Sequence, residues 1–387
     1  MNPMIYLDNS ATTALCPEAE GAIRDAIVGF GNPSSLHSAG QTARKTVETA
    51  RKQLLAALDV RLPDTRRVIF TSCGTEANNL AIFGTIRAKS FRFLPRVITT
   101  DSEHPSILET LRYLEGRKEI ELCCLSTRGG KIELSELDAA LNERTVLLSL
   151  MQVNNETGAV QPLQEISRLR DKYCPNALLH VDGVQGFLRV PFDMRALKVD
   201  SYALSGHKIH GPKGIGALVC GNRLRLAPIL VGGGQENNLR SGTENTPGIL
   251  ALGAAILAYP GNGDMKQVKC YLYEKLKALV PDARVNGPDP MGDWAAPHIL
   301  NISLPPVRSE TMLHALEGMG IYVGIGSACS SHKQKVSHTL RTMNVPQKYA
   351  EAALRFSFCP DNTREEMDQV LAAFEKNYAL LSRYQRR

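Results

Sequence analysis

Leu179-His-Val-Asp182-Gly-Val-Gln185 ends an apolar run on a carboxylate, and Ser205-Gly-His-Lys208-Ile-His-Gly211-Pro-Lys-Gly214 ends the next one on a lysine followed by a glycine-rich turn. Short apolar runs that stop at polar loops read as buried strands, and open α/β sheets hold ligands in the crevice beyond the carboxyl ends of such strands. Asp182 and Lys208 are 208 − 182 = 26 positions apart, so two neighbouring parallel strands would bring an acid and an amine to one crevice.

The same pattern repeats on either side. Strand-like runs fall at 68–71, 97–100, 120–124, 146–151, 178–181, 201–204 and 217–220, and helical periodicity fills gaps at 75–87, 105–114, 134–141 and 163–173. This alternation predicts an α/β fold with a large, mainly parallel seven-stranded sheet whose parallel pairs are joined by crossover helices. After Gly261-Asn-Gly263 the order changes to a helix over 265–279, a Pro/Gly-rich stretch at 287–297, a strand at 299–304, a helix at 309–318, a strand at 355–358 and a terminal helix. A smaller α+β domain is expected there. We place the large domain at residues 17–257 and the small one at 1–16 together with 258–387. There is no repeat of 20 to 50 residues and no useful low-complexity tract.

Composition narrows the function classes. The 387 residues are 43% hydrophobic and 22% charged, ordinary for a globular chain, and the net charge of 45 − 39 = +6 is not gathered into a basic stripe. The basic end, Arg383-Tyr-Gln-Arg386-Arg387, reads as a solvated tail, so nucleic acid is not an expected partner. Residues 1–16 lack the pattern of a secretory signal, and the longest strongly apolar stretch, 249–258, is too short to span lipid. A cytoplasmic protein without membrane partners is expected. Nine cysteines with no paired C-x-x-C motifs point to reduced thiols, and Cys123-Cys124 read as core residues.

The acid and lysine suit pyridoxal 5'-phosphate. That ring withdraws electrons only while its nitrogen stays protonated and its aldehyde is held by a lysine; a buried Asp182 favours the charged nitrogen, and Lys208 supplies the amine and then a base for the substrate's α-proton. Gln185, near the same strand end, is placed to donate to the ring hydroxyl. The phosphate needs donors, and Ser72-Cys73-Gly74-Thr75-Glu76 puts a turn and a helix start directly after a strand, offering amides and the Thr75 hydroxyl. Ser205 and His207 flank the lysine and are candidates for the same group, and Arg240-Ser-Gly242-Thr243 offers a cation and a hydroxyl.

At this point the chain resembles the class-V branch of the fold-type I pyridoxal-phosphate transferases, and within it the cysteine desulfurases of the nitrogenase and iron–sulfur assembly type. The resemblance runs through Tyr6-Leu-Asp-Asn-Ser-Ala-Thr-Thr13, Gly31-Asn-Pro-Ser-Ser-Leu-His37, Gly74-Thr-Glu-Ala-Asn-Asn79, Glu103-His104, Val153-Asn-Asn-Glu-Thr-Gly158, Ser205-Gly-His-Lys208, Arg240-Ser-Gly-Thr243, Gly326-Ser-Ala-Cys329 and Arg355-Phe-Ser357. It implies that His104 stacks on the ring and assists proton transfer, that Asn155 and Gln185 approach the ring hydroxyl, and that Arg355, with Asn32 and Asn155 nearby, clamps the substrate carboxylate. It also implies a homodimer in which Thr243 reaches the neighbouring subunit's phosphate. The sequence departs from the family's usual wording at Cys73, where Gly is common, at Gly183, where Ala is common, and at His210, where Tyr is common.

The resemblance implies L-cysteine as substrate, L-alanine as product and Cys329 as the thiol that accepts sulfur as a persulfide for an acceptor or scaffold protein. Taking sulfur requires a nucleophile that attacks Sγ, and a thiolate suits the task. Cys329 lies in Gly324-Ile-Gly-Ser-Ala-Cys329-Ser-Ser-His332-Lys333-Gln-Lys335, whose cations would favour the thiolate. His332 and His338 with Cys329 lack a fourth ligand and regular spacing, so no metal is expected. The alternative within the fold is an aminotransferase or a lyase for selenocysteine or another cysteine derivative.

Overall fold

The computed structural model describes residues 4–60, 67–326 and 337–383. Its strands in chain order are β1 (Ile5–Leu7), β2 (Val68–Thr71), β3 (Arg96–Thr100), β4 (Glu121–Leu125), β5 (Thr127–Arg128), β6 (Lys131–Ile132), β7 (Thr145–Met151), β8 (Leu178–Asp182), β9 (Ser201–Ser205), β10 (Gly216–Cys220), β11 (Arg284–Val285), β12 (Ile299–Ser303), β13 (Ile321–Val323) and β14 (Ala353–Ser357). The helices are α1 (Pro17–Val28), α2 (Ser38–Ala57), α3 (Gly74–Arg87), α4 (Pro105–Gly116), α5 (Leu134–Ala140), α6 (Leu163–Tyr173), α7 (Thr246–Ala258), α8 (Met265–Leu279), α9 (Ser309–Glu317), α10 (His338–Thr342), α11 (Gln347–Ala350) and α12 (Arg364–Leu381).

Seven strands form the large sheet in the order β2-β10-β9-β8-β7-β3-β4. Only β10 runs against its neighbours, pairing antiparallel with both β2 and β9, so the mainly parallel sheet expected from sequence is present. Because β10 reverses direction twice, β2 points the same way as β9, and the carboxyl ends of β2, β3, β7, β8 and β9 share one edge. Strands β9 and β10 are buried along their whole length, as expected of strands covered on both faces. Strand β4 closes the opposite edge of the sheet. There the sequence reading needs correction: Cys124 is exposed and Cys123 half-buried, because an edge strand leaves one side uncovered.

Between β8 and β9 the chain crosses over without a regular α-helix, through turns that begin at Gly183. A Cβ on Gly183 would lie 1.8 Å from Cζ of Tyr202, so the family's common Ala has no room beside this buried ring. The phenol of Tyr202 donates to Gln152 Oε1 at 2.7 Å.

A second apolar core joins Ile5 and Leu7 to Leu272, Leu276, Ile302, Val323, Phe356 and Phe374. Its framework is the parallel pair β1 with β13 and the sheet β11-β12-β14. Isolated bridges from Asp8 to Ser357 and from Gly324 to Arg355 carry this unit to the carboxyl edge of the large sheet.

Candidate active site

A cavity of about 210 Å³ opens at that edge. Five of the parallel strands ending there contribute: Gly74 and Thr75 follow β2, His104 follows β3, Asn155 follows β7, Asp182 and Gln185 lie at the end of β8, and Ser205, His207 and Lys208 at the end of β9. Arg355 of β14 and the N-terminal residues Ser10 and Ala11 complete the lining. Asn32 and Thr243 are exposed and do not line this chain's cavity. Cys329 lies outside the described residues.

Asp182 is 5% exposed and sits in a neutral polar network. Its Oδ1 accepts the Val184 amide at 3.0 Å and its Oδ2 accepts Asn78 Nδ2 at 2.8 Å. Asn78 Nδ2 also donates to Ser106 Oγ at 2.9 Å. With its amide nitrogen so committed, Asn78 presents Oδ1 to His180 Nε2 at 3.1 Å, which makes Nε2 the protonated nitrogen and leaves Nδ1 to accept from Ser201 Oγ at 2.9 Å. Burial drives His180 down to about 3, so it stays neutral.

His104 caps α4: its Nδ1 accepts the Ser106 amide at 3.1 Å, and Pro105 occupies the first helical position, where its missing N–H does no harm. Nδ1 is thus an acceptor, and the proton of the neutral ring is on Nε2. Burial, with Lys208 adding to it, holds the ring below its ordinary pKa against the opposing pull of Asp182. Ser106 touches both Asn78 and His104 Nδ1, tying the acid and the imidazole into one frame.

Lys208 Nζ donates to the carbonyls of Ser10 and Ala11 at 2.7 and 2.6 Å. Its own carbonyl accepts from Arg189, which is almost fully buried. Burial and the charges of Lys208, Lys213 and Arg189 push His207 down to about 4. At the start of α3 the N-cap residue Cys73 makes no side-chain cap, so the first-turn amides have no local acceptor beside the cavity. Arg240 does not line the cavity; its guanidinium pairs with Glu76 at 2.8 Å.

Arg355 is 2% exposed. It donates to Asp8 Oδ1 at 2.8 Å and to the Asn155 carbonyl at 3.0 Å, while its buried Nε has no partner among the described residues. Arg355 lines the cavity, and a guanidinium there suits an entering carboxylate.

The sequence reading assigned no individual role to Asn78, Ser106, Asp8 or Glu103. Asn78 carried a faint signal, one helical turn beyond Gly74 and so on the same face. Glu103 is 3% exposed; its Oε1 accepts from Thr100 Oγ1 and the Met151 amide, its Oε2 has no partner among the described residues, and burial raises it to about 8, so it keeps its proton at neutral pH.

Residues 5–370 match the family model Aminotransferase class-V. The chain belongs to that family. It is 39% identical over 376 residues to a cysteine desulfurase of Trichormus azollae, covering 95% of this chain and 91% of that protein. A solved NifS-like protein superposes with a TM-score of 0.88 at 33% identity, covering 98% of this chain and all of that one. SspA, solved in complex with cysteine, superposes at 0.80 with 27% identity over 93% of this chain. The cofactor of this class-V chain is pyridoxal 5'-phosphate, and the cavity suits it: uncapped amides at a helix start for a dianion, a buried acid for a ring nitrogen, and a lysine for an aldehyde.

Proposed function

We propose that this chain is a cysteine desulfurase that converts L-cysteine to L-alanine and takes the sulfur onto Cys329 as a persulfide. The observation that carries the reading is that Arg355 lines the same cavity as Lys208, His104 and Asp182: a guanidinium for an α-carboxylate beside an amine site selects an amino acid. When bound, the cofactor supplies an aldehyde for the substrate's amino group and a ring that accepts electrons.

The protein's own groups have separable tasks. Asp182, its geometry set by Asn78, keeps a proton on the ring nitrogen. Gly74, Thr75, Ser205 and His207 would hold the phosphate, and Gln185 and Asn155 would serve the ring hydroxyl. Lys208 Nζ would take the substrate's α-proton and return it, and neutral His104, with its Nε2 proton, would lie against the ring and assist. The Cys329 thiolate then bonds to the substrate Sγ as the Cβ–Sγ bond breaks. The electron pair of that bond stays with carbon, which takes up a proton to become alanine.

The active unit is a homodimer. The loop bearing Asn32 exposes Phe30 (89%) and Leu36 (83%), and the loop bearing Thr243 exposes Val231 (83%), so a second copy that covers this apolar surface would receive both polar residues at its own cavity. We place the reaction in the cytoplasm, with a protein acceptor for the sulfur; the eight described cysteines are all free thiols. Among the described residues no helix is long and apolar enough to cross a membrane.

The test is mass spectrometry after brief exposure of the cofactor-loaded enzyme to L-cysteine. One added sulfur on Cys329 and stoichiometric alanine are expected. Undiminished turnover of cysteine by Cys329→Ala, or formation of a keto acid in place of alanine, would rule the reading out.

A further inference from the structure

Glu156 is 4% exposed, and among the described residues its side-chain partners are hydroxyls. Oε2 accepts from Ser337 Oγ, and Oε1 accepts from Thr339 Oγ1 at 2.9 Å. Withdrawing a carboxylate from water is costly unless its lone pairs are met, and here donors separated by 181 and 183 positions meet them.

Those donors stand where the chain returns from residues 327–336, and the departing end comes to the same carboxylate. Gly326, at φ +67°, is so close that a Cβ on it would lie 3.2 Å from Ser337 Cβ and 3.5 Å from Glu156 Oε2. Two residues earlier, Gly324 exchanges backbone bonds with Arg355 at 2.9 and 2.7 Å. Arg355 Nη1 in turn donates to the carbonyl of Asn155, the residue before Glu156. The contacts form a closed ring: Arg355 to Asn155, Glu156 to Ser337 and Gly326, and Gly324 back to Arg355. The loop carrying Glu156 is itself firm, since Asn154 Oδ1 accepts the amides of Glu156 and Thr157 at 3.0 and 2.8 Å and Asn301 Nδ2 donates to the Glu156 carbonyl at 3.1 Å.

We propose that Glu156 is a positioning residue for sulfur transfer: its carboxylate fixes both anchor points of the Cys329 segment relative to the Arg355 clamp. This rests on the desulfurase reading above. It assigns Glu156 no contact with substrate or cofactor, so its loss slows delivery of the thiol and leaves substrate binding alone.

The experiment follows persulfide formation on Cys329 in a single turnover of the cofactor-loaded enzyme, with the KM for L-cysteine and the cofactor absorbance measured alongside. Glu156→Ala is expected to slow persulfide formation about tenfold or more, with KM and absorbance within about twofold of wild type. Glu156→Gln, which can accept from one hydroxyl and donate to the other, restores the rate to within about threefold. Thr339→Val removes one hydroxyl at constant volume and guards against a poorly folded Ala variant; it is expected to slow transfer about threefold, and adding it to Glu156→Ala brings no further loss. An unchanged rate in both Glu156→Ala and Thr339→Val overturns the proposal. So does a rise in KM and loss of cofactor in step with the rate, which would mark Glu156 as a general structural support. A wild-type enzyme that never gains sulfur on Cys329 overturns the desulfurase reading and this inference together, whatever the variants do.

Discussion

The Asp182 side of the cavity takes its residues from the ends of neighbouring strands in one sheet, whereas the Arg355 side gathers Asp8, Asn155, Gly324 and Arg355 from distant stretches of chain. On the first side the polar atoms are bound to one another in a chain from Ser201 through His180 and Asn78 to Asp182. On the second, a buried guanidinium keeps Nε unpartnered among the described residues. The difference teaches where each kind of ligand belongs. A side whose geometry is already fixed suits a resident group, and a side built around a guanidinium suits an anion that comes and goes.

The largest effect should come from breaking the resident side. Lys208→Ala is expected to lower kcat by roughly 10³-fold, with loss of the yellow colour of the enzyme. Absorbance and steady-state kinetics on the same preparation check this; a colourless wild type supplied with excess cofactor would count against the assignment. Breaking the exchanging side should separate binding from chemistry. Arg355→Lys keeps the charge but loses the planar fork, and kcat/KM for L-cysteine should fall about a hundredfold, mostly through KM, with normal cofactor content. An equal loss of cofactor would mean that the two sides are not independent.

The smallest effect concerns Glu103, which underlies the resident side. The folded protein holds this proton up to about pH 8, whereas an ordinary glutamate releases it near 4.5. Across that window the folded state binds more protons than the unfolded one, so this group's contribution to stability declines as pH rises from about 4.5 to about 8. Glu103→Gln mimics the protonated form. Its melting temperature should exceed that of wild type by about 3 °C at pH 8, with the gap closing toward pH 5. A gap of constant size would refute the link to titration.

Much of the fold was legible because parallel strands buried on both faces are written as short apolar runs: β2, α6 and α8 fall at the expected residues and the other predicted elements within one or two positions, while β1, β5, β6, β11 and β13 were not predicted. Asp182 and Lys208 were readable for the same reason, as polar residues directly after such runs. Cys124 was misread because an edge strand and a central strand have the same local sequence, and only the sheet order β7-β3-β4 tells them apart. Asn78 and Glu103 passed without a role because hydrogen-bonded partners 104 and 48 positions away leave no local pattern.

The sequence by itself determined the alternation of elements, the strand ends on which an acid, an amine and a helix start would appear, and the chemistry those groups could share. Only the tertiary structure decided that Asp8 and Asn155 hold Arg355, that Tyr202 leaves no room for a side chain at position 183, and that Glu156 gathers both ends of the segment carrying Cys329. The physical reason is range: periodicity and turn chemistry act over a few residues, while the satisfaction of a buried charge is settled by whichever distant groups the packed core brings within 3 Å.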